Sequence, residues 1–166
     1  MMNSPPYVTR NNLSEPLREK MIQLLNQHLA DIIDLQLQAK QAHWNVKGPN
    51  FIGLHELFDR VAGEIEDFAD SMAERAVELG GVAKGTLQIV VKVSRLSVYR
   101  VDLETANEHV DALSGALAAF GASARAAVDT AAQEGDANSA DLFTEVSRGI
   151  DKLTWLVEAH GQGATT

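Results

Sequence analysis

The stretch "HWNVKGPNFIGLHELFD", residues 43–59, sets His43, His55 and Asp59 on either side of a Gly-Pro-Asn turn. A little further on, "DSMAE" adds Asp70 and Glu74. Imidazole nitrogens and carboxylate oxygens bind divalent transition metals, and this mixture suits Fe, Mn or Zn better than Ca or Mg. The chain has no cysteine, which excludes disulfides and thiolate sites. Among the remaining metals, a carboxylate-rich site open to an oxidant favours iron redox chemistry.

These side chains need a helix to hold them. Residues from about Phe51 to Leu79 read as one, ended by Gly80-Gly81. With ~100° per residue and His55 at zero, Leu54, Leu57, Phe58, Val61, Ile65, Phe68, Met72 and Leu79 form one core-facing stripe. His55, Asp59, Asp70 and Glu74 fall between 0° and ~100°, opposite that stripe. A charged helix face is usually just solvated. Two features argue for more here. Ala62, Gly63, Ala69 and Ala73 share the face and would admit a close neighbour. His55/Asp59 and Asp70/Glu74 are also i, i+4 pairs, each able to converge on one ion.

One chain cannot bring both pairs together. Asp59 and Asp70 are separated by ~16 Å along the helix axis, against ~2 Å for a metal–ligand bond. A second copy of the helix, packed antiparallel across a two-fold axis, removes the difficulty. His55 then meets Glu74, and Asp59 meets Asp70, in a single register with the axis between Glu64 and Ile65. The expected centre therefore takes His43, His55 and Asp59 from one subunit and Asp70 and Glu74 from the other.

The rest of the chain reads as the scaffold. Three of the four prolines lie in the first sixteen residues, so the interior has few helix breakers. The first helix is expected from Ser14, with Pro16 in its first turn, to a point before Gly48-Pro49. A third long helix is expected from Asp102, as its cap, to about Ala132. "QEGDANSAD" reads as a turn, and a fourth helix runs to about His160. The segment "VAKGTLQIVVKVSRLSVYRV" could hold a strand, but a lone strand has no partner. A connector with a short helix is the better reading. The fold class is thus all-α: a ferritin-like four-helix bundle over residues 14–161, with a long crossover between its second and third long helices. Residues 1–13 read as a flexible arm and 162–166 as a short tail.

The motifs "KQAHWNVKGPNFIGLHELFD" and "SMAERAVELGG" resemble the signature of the Dps proteins, ferritin-like mini-cages, and the similarity runs from about Leu24 to Glu158. The resemblance implies a dodecameric homo-oligomer with ferroxidase sites at its two-fold interfaces. It implies the same five ligands, His43, His55, Asp59, Asp70 and Glu74, with Trp44 beside them. Iron as Fe(II) would be oxidised by hydrogen peroxide or oxygen and stored as ferric mineral, limiting oxidative damage. It further implies that Asp136, Asp141 and Glu145 line three-fold pores that admit iron. Read by themselves, these three acids would simply favour the positive end of a helix dipole.

Other functions fit less well. "HELFD" lacks the second histidine of a zinc protease. No Glu-x-x-His occurs, which counts against an intrabundle di-iron centre. His28, His109 and His160 read as packing or surface residues. The family name includes DNA binding, but residues 1–20 set Arg10, Arg18 and Lys20 against Glu15 and Glu19, and "GQGATT" carries no cation. With a net charge of −9, the chain is expected to repel nucleic acid. A DNA-compacting or metal-buffering shell without catalysis is the alternative. No apolar run suits a membrane span, and the lack of cysteine fits a cytoplasmic protein.

Overall fold

The computed structural model describes residues 7–162. Its elements are α1 (Glu15–Asn45), α2 (Phe51–Glu78), the short α3 (Leu87–Val93), α4 (Ala106–Glu134) and α5 (Ala137–Glu158). The four long helices form the bundle, and no strand occurs among the described residues. The helical periodicity explains the core. Met21, Leu25, Ile32 and Leu35 of α1, Phe58, Ile65 and Met72 of α2, Phe120 of α4 and Phe143 of α5 are fully buried. His28 belongs to this core. Its Nδ1 donates to the Leu24 carbonyl at 2.8 Å, and the Ser123 hydroxyl donates to Nε2 at 2.9 Å. Burial lowers its pKa.

Two glycines set the packing that matters. Gly48 has φ +110 and reverses the chain between α1 and α2, a conformation that an L side chain rarely adopts. On α5, a Cβ at Gly149 would run into the ring of Phe68, so a larger residue there would require that ring to move.

The crossover between α2 and α4 is pinned along α1 by α1's own polar side chains. Asn26 holds Val82 and Lys84, Gln27 holds the Val93 carbonyl, Asp31 holds Arg95, Asp34 holds Ser94, and Gln38 holds the Ser97 carbonyl. From Asn26 with Val82 to Gln38 with Ser97 the contacts advance along both segments, so the crossover runs along α1 in the same direction. It returns the chain to the end where α2 began, and α4 then points the same way as α2. This is the ferritin-like connection expected from the sequence, and "LQIVVKV" is the helix α3.

Three local expectations need correction. Asp102 does not cap α4: it is drawn to Arg100 at 2.9–3.0 Å, and Thr105 caps instead. Thr105 and Glu108 satisfy each other's backbone donors, a reciprocal box that Asp102 cannot form. "QEGDANSAD" is mostly helix, because Gly135 (φ +90) and Asp136 complete the turn by themselves. The arm is held over residues 7–13. The Tyr7 amide donates to the Gly80 carbonyl at 3.1 Å, the Thr9 hydroxyl to Glu78 at 3.3 Å, and Arg18 braces Leu79 at 2.9 Å. These carbonyls end α2 and lack helical partners, which gives the arm something to bind. The first six residues of the expected arm, and residues 163–166 of the expected tail, lie outside the described residues. No helix among the described residues is long and apolar enough to cross a membrane.

Candidate metal centre

The turn at Gly48 folds the last turn of α1 onto the start of α2, and the two histidines meet there. Nδ1 of His43 lies 2.8 Å from the His55 carbonyl, and Nδ1 of His55 lies 2.8 Å from the His43 carbonyl. The His43 carbonyl is free to accept because it belongs to the unpaired end of α1. A carbonyl can only accept, so each Nδ1 carries a proton. In a neutral imidazole the lone pair then sits on Nε2. Both rings are thereby fixed in the tautomer of a metal ligand whose other nitrogen is anchored to backbone. They stack with centroids 3.8 Å apart, and Phe51 flanks His55 at 5.0 Å.

Asp59 stands one turn beyond His55. Its Oδ1 is 3.9 Å from Nε2 of His43, a gap that an ion with ~2 Å bonds to each atom can bridge. The same oxygen accepts a hydrogen bond from Lys40 at 2.6 Å. That bond, foremost, holds the Asp59 carboxyl below the usual carboxylate range. Sequence reasoning missed Lys40. Its signal was present: it precedes His43 by three residues, on the same face of α1. Trp44 is largely exposed beside the pair.

Asp70 and Glu74 are exposed on α2 and do not join this group within the chain. They border two shallow hollows, one formed with Leu29, Ile33 and Gly85, the other with Val77 and Ala83. Among the described residues no three His, Asp or Glu side chains converge tightly enough to hold an ion. The stripe of small residues divides. Ala62 and Ala69 are buried inside the bundle, whereas a Cβ at Gly63 would meet nothing within 4 Å. Part of that stripe therefore serves packing within the chain.

A ferritin-like domain matches residues 22–163. A DNA protection during starvation protein of Agrobacterium fabrum is 42% identical over 156 residues, spanning 94% of this chain and 96% of that protein. The chain belongs to the Dps family. Structures agree: a Dps protein from Streptomyces coelicolor superposes with a TM-score of 0.90 at 33% identity, over 98% of this chain and 96% of that one. Mycobacterium smegmatis Dps gives 0.90 at 32% identity, over 95% and 90%. Membership supports a mini-ferritin role, in iron storage or in DNA protection.

In this Dps chain the three acids of the fourth bundle helix do not share one surface. Asp141 and Glu145 are exposed one turn apart on α5. Asp136 is only 2% exposed and fully engaged. It accepts from the Ser139 amide at 3.1 Å and hydroxyl at 2.5 Å, and from Arg75 at 3.0 and 3.2 Å. Desolvation opposes its ionisation, but the Ser139 and Arg75 bonds outweigh that and lower its pKa. Asp136 thus caps α5 and ties it to the end of α2. Arg75, next to Glu74, is a further residue that sequence reading did not single out.

Proposed function

We propose that this protein is a ferroxidase of a Dps-type cage, which oxidises Fe(II) and stores the ferric product inside. The observation that carries the reading is the reciprocal histidine clamp, which leaves the Nε2 of each imidazole free, that of His43 at 3.9 Å from the Asp59 carboxylate. His43, His55 and Asp59 supply one half of the centre. Asp70 and Glu74 of a neighbouring subunit supply the other, across a two-fold axis through the middle of α2. The homo-oligomer would be a dodecamer of cytoplasmic location.

Each group has a task. The imidazoles fix the position of Fe(II) without adding charge. The carboxylates offset the charge that rises when iron becomes ferric, which favours the oxidised state. Two Fe(II) ions release one electron each, and hydrogen peroxide takes both as its O–O bond breaks. Water and the peroxide oxygens leave with iron as ferric oxyhydroxide, and protons pass to solvent. Dioxygen is the second oxidant. Asp141 and Glu145 on the outer face of α5 would concentrate Fe(II) at a pore, with Asp136 fixing the helix that carries them.

The test is the rate of ferric product formation after Fe(II) is mixed with peroxide or with oxygen. The wild type should oxidise Fe(II) far faster than buffer. A His43→Ala/His55→Ala protein that still assembles should fall close to the uncatalysed rate. Equal rates for the two proteins would overturn the proposal.

A further inference from the structure

We propose that Lys40 is a resident counter-ion of the centre: its ammonium holds the Asp59 oxygen until a divalent ion displaces it, and so filters the ions admitted. This inference rests on the reading of His43, His55 and Asp59 as ligands. The oxygen that Lys40 holds at 2.6 Å is Oδ1, the same atom that lies 3.9 Å from Nε2 of His43. Any ion bridging His43 and Asp59 at that point must share or take this oxygen. An ammonium left there would repel the incoming dication at close range, so the lysine has to withdraw.

The geometry allows it to. The Lys40 side chain is 31% exposed and that of Asp59 55%, so neither is locked in the core. Lysine presents a compact charge on a flexible stem, without the two-pronged grip of arginine on a carboxylate. One turn along α1, the face of Trp44 lies 5.9 Å from Nζ and offers the displaced cation a second station. The displacement penalty is the same for every dication. Ions that also bind imidazole tightly overcome it most readily. Lys40 thus lowers every dication affinity by the same factor; ions that gain from His43 and His55 stay bound, whereas Mg(II) and Ca(II), which gain little from them, fall below useful occupancy.

The experiment titrates the assembled, metal-free protein with Zn(II) and with Mg(II) by calorimetry at one fixed pH. Lys40→Gln should bind Zn(II) about two- to fivefold more tightly, the range of an exposed ion pair. Its fold-gain for Mg(II) should be the same, because the penalty removed is the same. Lys47→Gln makes the same charge change in the nearby turn without touching Asp59 and should leave affinity unaltered. Adding Asp59→Asn should abolish the gain from Lys40→Gln, because the effect acts through that carboxylate. Equal or weaker Zn(II) binding by Lys40→Gln, or an equal gain from Lys47→Gln, would overturn the inference. It would leave the ligand assignment standing if Asp59→Asn alone weakens binding. Zn(II) binding that is insensitive to both Asp59→Asn and His43→Ala would overturn the ligand assignment and this inference together.

Discussion

A centre divided between subunits makes a quantitative demand on mixed assemblies. Consider one variant lacking His43 and His55 and a second lacking Asp70 and Glu74, each changed to alanine. Asp59 and Asp70 lie on one continuous helix, ~16 Å apart along its axis, so no side-chain motion unites the two halves within a chain. Each variant alone should therefore oxidise Fe(II) at close to the uncatalysed rate. At a two-fold interface between one chain of each type, one centre receives both intact halves and the other receives neither. Random mixing at equal ratio makes about half of all interfaces mixed, and half of their centres complete, so roughly a quarter of wild-type activity should return. The assay is rapid Fe(II) oxidation after dissociation and joint reassembly, with native mass spectrometry to establish mixing. Recovery should follow the product of the two fractions and peak at the equal ratio. Mixed shells that remain inactive would refute the shared centre and favour one built within a single chain.

Three further outcomes follow from the same geometry. Asp136→Ala should cost about 1–3 kcal/mol, because it removes the cap of α5 and one of the two carboxylates paired with Arg75, which keeps Glu78. Since the folded-state pKa of Asp136 is depressed, its contribution is present above the unfolded carboxylate pKa and is lost as pH falls through the folded value. Thermal unfolding at constant protein concentration should therefore show a steeper acid loss for wild type than for Asp136→Asn. Replacing Asp141 and Glu145 by their amides should slow iron uptake at low Fe(II) while shells still assemble; unchanged uptake would remove them from the pore. The proposed shell of twelve chains at −9 each would carry roughly −100 formal charge, so no stable complex with duplex DNA is expected at physiological salt. A clear gel shift without added divalent metal would contradict this.

The sequence carried some of this architecture openly and hid other parts for physical reasons. The long helices were legible because their apolar positions recur with a helical period and Gly-Pro or Gly-Gly closes them. The pairing of His43 with His55 was legible only as proximity to a turn. The tautomer that makes them ligands depends on carbonyls across that turn, and spacing cannot supply that. The α4 start was misplaced because Asp102 and Thr105 are both acceptable caps in isolation. The choice between them lies in Arg100 and Glu108, which act on opposite sides of the boundary. Asp136 reads from sequence as an acid at a helix start or, by resemblance, at a pore, and nothing nearby marks it as half of an ion pair. Its cationic partner, Arg75, lies sixty-one residues away, and an ion pair of that separation leaves no local signature.

The division of ligands also has a consequence for control of the chemistry. On the proposed reading, a lone subunit presents two imidazoles and one carboxylate, and that carboxylate is already occupied by Lys40. Such a half-centre is poorly charged for a dication and worse for Fe(III). When a second subunit brings Asp70 and Glu74 alongside, two negative charges arrive at once. The balance at Asp59 shifts from the ammonium toward the metal. Oxidation would thereby be confined to the assembled state, in which the ferric product would have an enclosed volume to enter. A free chain, which could only release it into solution, remains a weak binder. The lysine and the two-fold axis act on the same quantity, the net charge met by an incoming ion. Removing Lys40 should therefore raise metal binding by the unassembled chain as well as by the shell, and the penalty for losing Asp70 and Glu74 should shrink in its absence.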